Sequence, residues 1–393
     1  MIEESLKDPG SRSSSEKNGH DPELHEIAEE CDRNPVNIFG EETGNEAGEV
    51  IQAIYGIPNS HFDQPLNSLG VIPEGMYAAS CDEDRSLRDD VPGGLVEHEG
   101  VIFYATTDHG VLRSCDERKP HNDDAYFVIP EQKTIGAADG VSGNPKRNDK
   151  GRMAASVATL AALMEAHLDL PMRKLIEIMH GAALKHRLFI RDQWKKQKQK
   201  KEKEPPKNLT TSTVARLNNN NVIECASIGN TRALVIRGEK AHRLTYDHTM
   251  LNSKMGHMEI TEEQAFRIFG PFAIRMKNNL VQALGSDENL HPGEDPDSNI
   301  KHVNIKPFYE TFQAQGGDVL LICSDGVTDV MTDDEIAEFV YERRQKNMSL
   351  AEIIDELKEH VIYLMKYSRN GDHEYPNKHD GDNIVIVGLV VPE

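Results

Sequence analysis

The stretch HNDDAYFVIPEQKTIGAADGVSG, residues 121–143, holds two apolar runs bracketed by acids. AYFVI and TIGAA have the length and composition of short buried strands, and the turn PEQK between them contains a proline. Folded back as a hairpin, the pair returns Asp139 to the neighbourhood of Asp123 and Asp124. Carboxylates gathered at the ends of buried strands repel one another unless positive charge lies between them. A divalent cation held by oxygen ligands meets that need.

The arrangement recurs twice. Asp325 follows the apolar run VLLIC in LLICSDGVTD, and Asp382 precedes IVIVGLVV in HDGDNIVIV. Asp-Gly and Asp-Asn are ordinary turn formers, so any one of these acids alone reads as a turn residue. Several of them at strand ends point instead to an oxygen-ligand Mg²⁺ or Mn²⁺ site.

Working outward, GRMAASVATLAALMEAHL and PMRKLIEIMHGAALKHRLFIRDQW carry apolar residues at helical spacing, the second with proline in its first turn. The charged tail KKQKQKKEKEPPKN that follows reads as a solvated helix end or loop, with an acidic docking partner as the minor alternative. Residues 211–244 read as a β-meander with turns at NNNN and GNT. The loop 245–285 contains the helical stretch ITEEQAFRIF, opened by Thr261 and acids. Then come the buried strand GDVLLICS, two helices (DDEIAEFVYERR and LAEIIDELKEHVIYLMKYS) and the strand NIVIVGLVV. Hairpins in runs and helices in pairs are not a βαβ alternation. They predict an α+β fold of antiparallel sheets covered by antiparallel helix pairs.

The N-terminal part is different. Its first twenty residues are polar and Ser-rich and read as disordered. PELHEIAEECD and AGEVIQAIYG look helical among many Gly, Pro and Asn. Residues 1–100 are therefore expected to form an extension or small accessory unit, and residues 101–393 the main domain.

A net charge of -22 argues against general nucleic-acid binding, which relies on Lys and Arg neutralising phosphates. The basic run from Lys195 to Lys207 lacks aromatic interleaving beyond Trp194. No apolar run is long enough to span a bilayer, and the first residues lack the pattern of a secretory signal. Five scattered cysteines without CxxC spacing suggest free thiols and a cytoplasmic location.

The ordered set NDDAYFV, AADGVSG, TSTVARL, SIGNTRALVI, LTYDH, LVQALG, LLICSDGVTD and DNIVIV resembles the metal-dependent protein serine/threonine phosphatases of type 2C, the PPM family. The resemblance spans roughly residues 101–393. It implies a four-layer α/β/β/α sandwich, and hydrolysis of phosphoserine and phosphothreonine in proteins with two Mg²⁺ or Mn²⁺ ions. By resemblance, Asp139 bridges both metals, the Gly140 carbonyl faces one, and Asp124, Asp325 and Asp382 are further ligands. Asp123 stands where Glu is common and has one methylene less reach. A water between the two ions would ionise near neutral pH and attack phosphorus in line.

Three departures from the family pattern bear on activity. Where an Arg commonly holds the substrate phosphate, spacing aligns Lys119, with Arg118 as the close second; Lys binds phosphate as a point charge without a bidentate fork. Val141 replaces a His thought to protonate the leaving alkoxide in many members, which leaves a water, another acid or His121. Asn230 replaces an Asp that would help Asp325 and Asp329 bind a third metal, so that ion is expected weakly or not at all. These departures keep two other readings open: a pseudophosphatase that binds a protein partner without turnover, and a phosphatase acting on a small phosphoester. Substrate identity and oligomeric state are not legible.

Overall fold

The computed structural model describes residues 72–80, 84–91, 95–110, 119, 121–141, 151–165, 170–196, 208–258, 262–269, 271–277, 279–286, 306–367 and 382–393. In chain order, the strands are β1 (Tyr77–Ala79), β2 (Arg85–Ser86), β3 (Val96–His98), β4 (Val101–Asp108), β5 (Ala125–Ile129) and β6 (Thr134–Gly140). Helices α1 (Gly151–Met164) and α2 (Met172–Lys196) follow, then β7 (Thr210–Leu217), β8 (Val222–Ile228), β9 (Arg232–Arg237) and β10 (Lys240–Arg243). Three short helices come next, α3 (Met250–Met258), α4 (Glu262–Phe269) and α5 (Pro271–Lys277). The chain closes with β11 (Phe308–Gln313), β12 (Val319–Cys323), α6 (Asp325–Thr328), α7 (Asp333–Gln345), α8 (Leu350–Tyr367) and β13 (Ile384–Val390).

The strands form two antiparallel sheets, one ordered β1-β5-β6-β7-β8-β11, the other β10-β9-β12-β13-β4-β2 with β3 also on β4. Side chains alternate across each strand. In the first sheet Tyr126, Val128, Ile135, Ala137, Ala215 and Cys225 join the core shared with the second. Phe127, Ile129, Val214, Ala226 and Ile228 point the other way, into the α1–α2 layer. Both faces are therefore buried, and each large side chain so removed from water contributes about 1.5–3 kcal/mol. Helices α7 and α8 cover the second sheet, supplying Ile336, Phe339, Ile353 and Leu357 to the same core. The result is the four-layer α/β/β/α sandwich.

Local chemistry explains several boundaries. Pro130–Gln132 makes one 3-10 turn between β5 and β6, ended by Lys133 at φ 48. Helix α7 starts at a reciprocal cap in which Thr332 and Glu335 satisfy each other's backbone N–H. The sheets reach further toward the N-terminus than residue 101. The strands β1, β2 and β3 all precede it, each of two or three residues, too short for alternation to register in sequence. The boundary expected at residue 101 is corrected accordingly. The two helical stretches expected before residue 60, Thr261, and the tail after Lys196 lie outside the described residues. No helix among the described residues is long and apolar enough to cross a membrane.

Candidate metal centre

Antiparallel pairing puts the start of one strand beside the end of its neighbour. In the first sheet Ala125 at the start of β5 pairs with Ala138 near the end of β6, so Asp124 and Asp139 share one edge. In the second, Cys323 at the end of β12 pairs with Ile386 near the start of β13, which brings Asp325 and Asp382 together. Strand β6 packs against β12 and β13, so the two pairs of acids meet at one end of the sandwich.

The backbone there is tightly fixed. The Gly140 N–H donates to the Asp123 carbonyl at 3.1 Å, and the Thr210 hydroxyl donates to the Asp139 carbonyl at 2.7 Å. Ser324 Oγ accepts from the Val385 N–H at 3.1 Å. A Cβ on Gly140 would stand 2.5 Å from the Asp123 carbonyl oxygen and 2.8 Å from the Arg152 nitrogen, so only glycine lets the start of α1 approach this turn. A Cβ on Gly326 would overlap the Asn383 carbonyl oxygen.

Burial first, and then Asp382 and Asp325, holds the Asp124 carboxyl well above the usual carboxylate range despite a hydrogen bond with Ser324. Burial, then Asp124 and Asp382, does the same to Asp139. For Asp325 the causes are burial, then Asp139, Asp382 and Asp329. Asp139 and Asp325, one from each sheet, also act directly on each other through a side-chain hydrogen bond. These groups strain against their own negative charge.

Lys119 and Asn230 answer part of that charge. The Lys119 ammonium is ion-paired to Asp382 and donates to Asn383 Oδ1 at 3.2 Å. Burial lowers its pKa, but Asp382, Asp123 and Asp124 more than offset this and hold it above the ordinary lysine value. Asn230 Nδ2 donates to Asp325 Oδ2 at 2.9 Å. Asp329, at the end of α6, is paired with Lys277 at 3.1 Å. Among the described residues no three His, Cys, Asp or Glu side chains are drawn into a closed metal-ligand group. The acids are close, but two of them are turned to these internal partners.

The donor set nonetheless fits a divalent cation. Asp124 Oδ2 is buried and has no hydrogen-bond partner, which is costly for a carboxylate oxygen unless a cation is to meet it. The converging carboxylates are hard oxygen donors, the chemistry that Mg²⁺ and Mn²⁺ prefer.

Of the residues singled out in the sequence, Asp124, Asp139, Gly140, Asp325 and Asp382 come together, with Lys119 among them. Asp123 contributes its main chain, through the Gly140 bond and its own N–H to Asn383 Oδ1 at 3.1 Å. Arg118 lies outside the described residues. His121 is exposed and faces an Arg152 nitrogen at 2.8 Å. Two residues escaped the sequence reading. Asn383 ties three segments together, its amide donating to the carbonyls of His109 at 3.0 Å and His121 at 2.8 Å. Lys277 reaches the site from a helix fifty residues upstream. The Asn after Asp382 was visible as a turn former; nothing in the sequence marks Lys277.

A family model described as Protein phosphatase 2C matches residues 154–254 and 267–365, together just over half of the chain. Protein phosphatase PhpP of Streptococcus pneumoniae D39 is 28% identical over 233 residues, 58% of this chain and 82% of that protein. The serine/threonine phosphatase stp of Listeria innocua is 26% identical over 134 residues, 34% of this chain and 45% of that one. Among solved structures, serine/threonine phosphatase Stp1 from Staphylococcus aureus superposes with a TM-score of 0.52 at 18% identity, covering 74% of this chain and 95% of that one. At such identity the likeness concerns the fold.

Proposed function

Because the chain belongs to the protein phosphatase 2C family, we propose that it hydrolyses phosphoserine and phosphothreonine in proteins at a Mg²⁺ or Mn²⁺ centre held by Asp124, Asp139, Asp325 and Asp382. The reading is carried by the convergence of these four carboxylates, two from each sheet, around a buried Asp124 oxygen that has no hydrogen-bond partner. The Gly140 carbonyl and Asp123 complete the donor set. Asp329 would belong to a third, weaker ion that Asn230 disfavours. What divalent ions supply when bound is charge neutralisation at the transferring phosphoryl group and, from water between two of them, a hydroxide near neutral pH.

The protein's own groups hold and orient. The Thr210 hydroxyl on the Asp139 carbonyl and the Ser324 hydroxyl on Val385 fix the strand ends that present the acids. Asn383 holds the segment around His121 and Asp123 against the start of β13. Lys119 is ion-paired to Asp382; exchanging Asp382 for a phosphate oxygen would let it grip substrate, with Arg118 as the second candidate. Val141 has no proton to give. The leaving oxygen would take one from water or another acid, with His121 as the minor candidate. A cytoplasmic location is proposed with this activity, consistent with Cys225 and Cys323 being free and buried.

The test is phosphate release from a phosphothreonine peptide with and without Mn²⁺, using Asp139→Asn as control. Mn²⁺-dependent release that falls by at least about 10²–10³ in the variant supports the enzyme. One observation favours the second reading, a pseudophosphatase that binds a partner: Lys119 and Asn230 already occupy Asp382 and Asp325. Folded protein silent at high Mn²⁺ would decide for that reading. Turnover of p-nitrophenyl phosphate alone would decide for a small phosphoester.

A further inference from the structure

Lys277 ends α5, the last of the three short helices between β10 and β11. Its ammonium stands 3.1 Å from Asp329 Oδ1 and 3.5 Å from the Thr328 carbonyl oxygen. Both side chains are nearly buried, at 10% and 11% exposure, where an ion pair is poorly screened by solvent. Asp329 closes the single turn that Asp325 opens, its N–H bonding the Asp325 carbonyl at 2.8 Å. On the far side of Asp325, Asn230 contributes a neutral amide whose Oδ1 is buried and has no hydrogen-bond partner. Asp329 thus adds a buried negative charge beside an already crowded acid, and the chain balances it with a lysine.

Among the described residues the three helices pack chiefly against one another. Their buried apolar residues, Leu251, Ala265, Ala273 and Met276, form a small cluster separate from the two main cores. Backbone bonds at the root, Met250 N–H to Asn279 at 2.8 Å and Val281 N–H to His248 at 2.8 Å, fix where the segment starts and returns. The Lys277–Asp329 pair reaches from α5 to the turn carrying Asp325.

We propose that Lys277 is a resident counter-ion: it occupies Asp329 in place of a further divalent cation and thereby ties the α3–α5 segment to the acid-bearing turn. Lys277 is a positioning residue, and the ion-replacement half of the proposal rests on the metal-centre reading given above. A tethered ammonium neutralises one charge without needing free metal, so the segment stays docked whatever the divalent-ion concentration. Asn230 fits this arrangement, since a second carboxylate there would leave Lys277 outweighed.

The experiment compares wild type, Lys277→Met, Lys277→Arg, Asp329→Asn and the Lys277→Met/Asp329→Asn double variant. Hydrogen exchange of residues 250–277 is followed in EDTA, and bound Mn²⁺ is counted by EPR titration. Lys277→Met should raise exchange in that segment by about tenfold while β12 and β13 stay protected, and Lys277→Arg should restore it. Wild type and Asp329→Asn should bind equal numbers of ions. Lys277→Met should gain one weak ion, which the double variant loses again. Loss of an ion in Asp329→Asn, an extra ion that survives in the double variant, or unchanged exchange in Lys277→Met each overturns the proposal. If none of the five proteins binds Mn²⁺, the metal-centre reading and ion replacement fall together, and the exchange data alone decide the tether.

Discussion

Burying Asp124, Asp139 and Asp325 within reach of one another costs folding free energy, because the native state disfavours the charged form that the unfolded chain adopts freely at neutral pH. Removing one charge without changing shape should return some of it. Asp139→Asn in EDTA at pH 7.5 is expected to unfold at higher urea than wild type while losing its response to Mn²⁺; an unchanged or lower midpoint would show that the repulsion is already relieved. His180 is the opposite kind of buried group. Its Nδ1 accepts from the Gly285 N–H at 3.3 Å, and burial pulls its pKa down to about 4. The depressed value means that its contribution is full above the unfolded pKa of about 6.5 and is lost as pH falls toward 4. Wild type should therefore lose about 1.2 kcal/mol of stability more than His180→Gln between pH 6 and 5 in urea titrations. Equal slopes would mean that His180 is not held neutral. The acids were legible in the sequence because each stands next to an apolar run. His180 was not, since a histidine on an apolar helix face carries no local mark of its long-range partner.

At the scale of elements, what sequence could deliver followed from contrast. Strands β5, β6, β12 and β13 are short apolar runs bounded by Asp, Gly or Pro, and they were readable for that reason. Strand β11, FYETFQ, leaves most of its residues partly or fully exposed at a sheet edge, so neither burial nor alternation announces it. Helices α3 and α5 are short and bury few residues, and they read as loop. A buried ion network also links elements far apart in sequence. Arg232 on β9 donates to Asp247 Oδ2 at 2.6 and 3.0 Å and to Oδ1 at 3.2 Å, and to Asp333 in the first turn of α7 at 3.0 Å. Arg243 on β10 joins through Asp333 at 2.6 Å. Arg232 and Asp247 are each only 5% exposed, so removing one partner leaves the other's buried charge with only the weaker remaining members of the network to balance it. Arg232→Met should cost about 3–5 kcal/mol in urea unfolding, and Arg232→Met/Asp247→Asn clearly less than the sum of the two single changes. Additive costs would mean that the two side chains do not act as a pair.

For the molecule as a whole, the consequence of the topology is that neither sheet alone holds the proposed metal centre. Asp124 and Asp139 come from one, Asp325 and Asp382 from the other, and the core between them is continuous. The layer order was readable from hairpins in runs and helices in pairs. Its N-terminal reach was not, because β1 to β3 are too brief to show a period and join the sheets only through partners chosen by tertiary packing. A cation gripped by both sheets acts as a clamp across the sandwich and stabilises only the state in which the sheets are packed. Binding linkage then sets the size: at a free Mn²⁺ concentration one hundred times its dissociation constant, the folded state gains about 2.7 kcal/mol. That gain corresponds to a rise of roughly 4 °C in the unfolding temperature of a domain this large. Differential scanning fluorimetry in EDTA and at rising Mn²⁺ checks it, with Asp139→Asn and Asp382→Asn as single-sheet disruptions. Both variants should lose the rise, since each removes one jaw of the clamp. A full rise in either variant would assign the ion to the acids of the other sheet alone. A local site of that kind would protect its own loops from hydrogen exchange and leave the amides of β4 and β8 exchanging as before, whereas the clamp slows exchange in both sheets together.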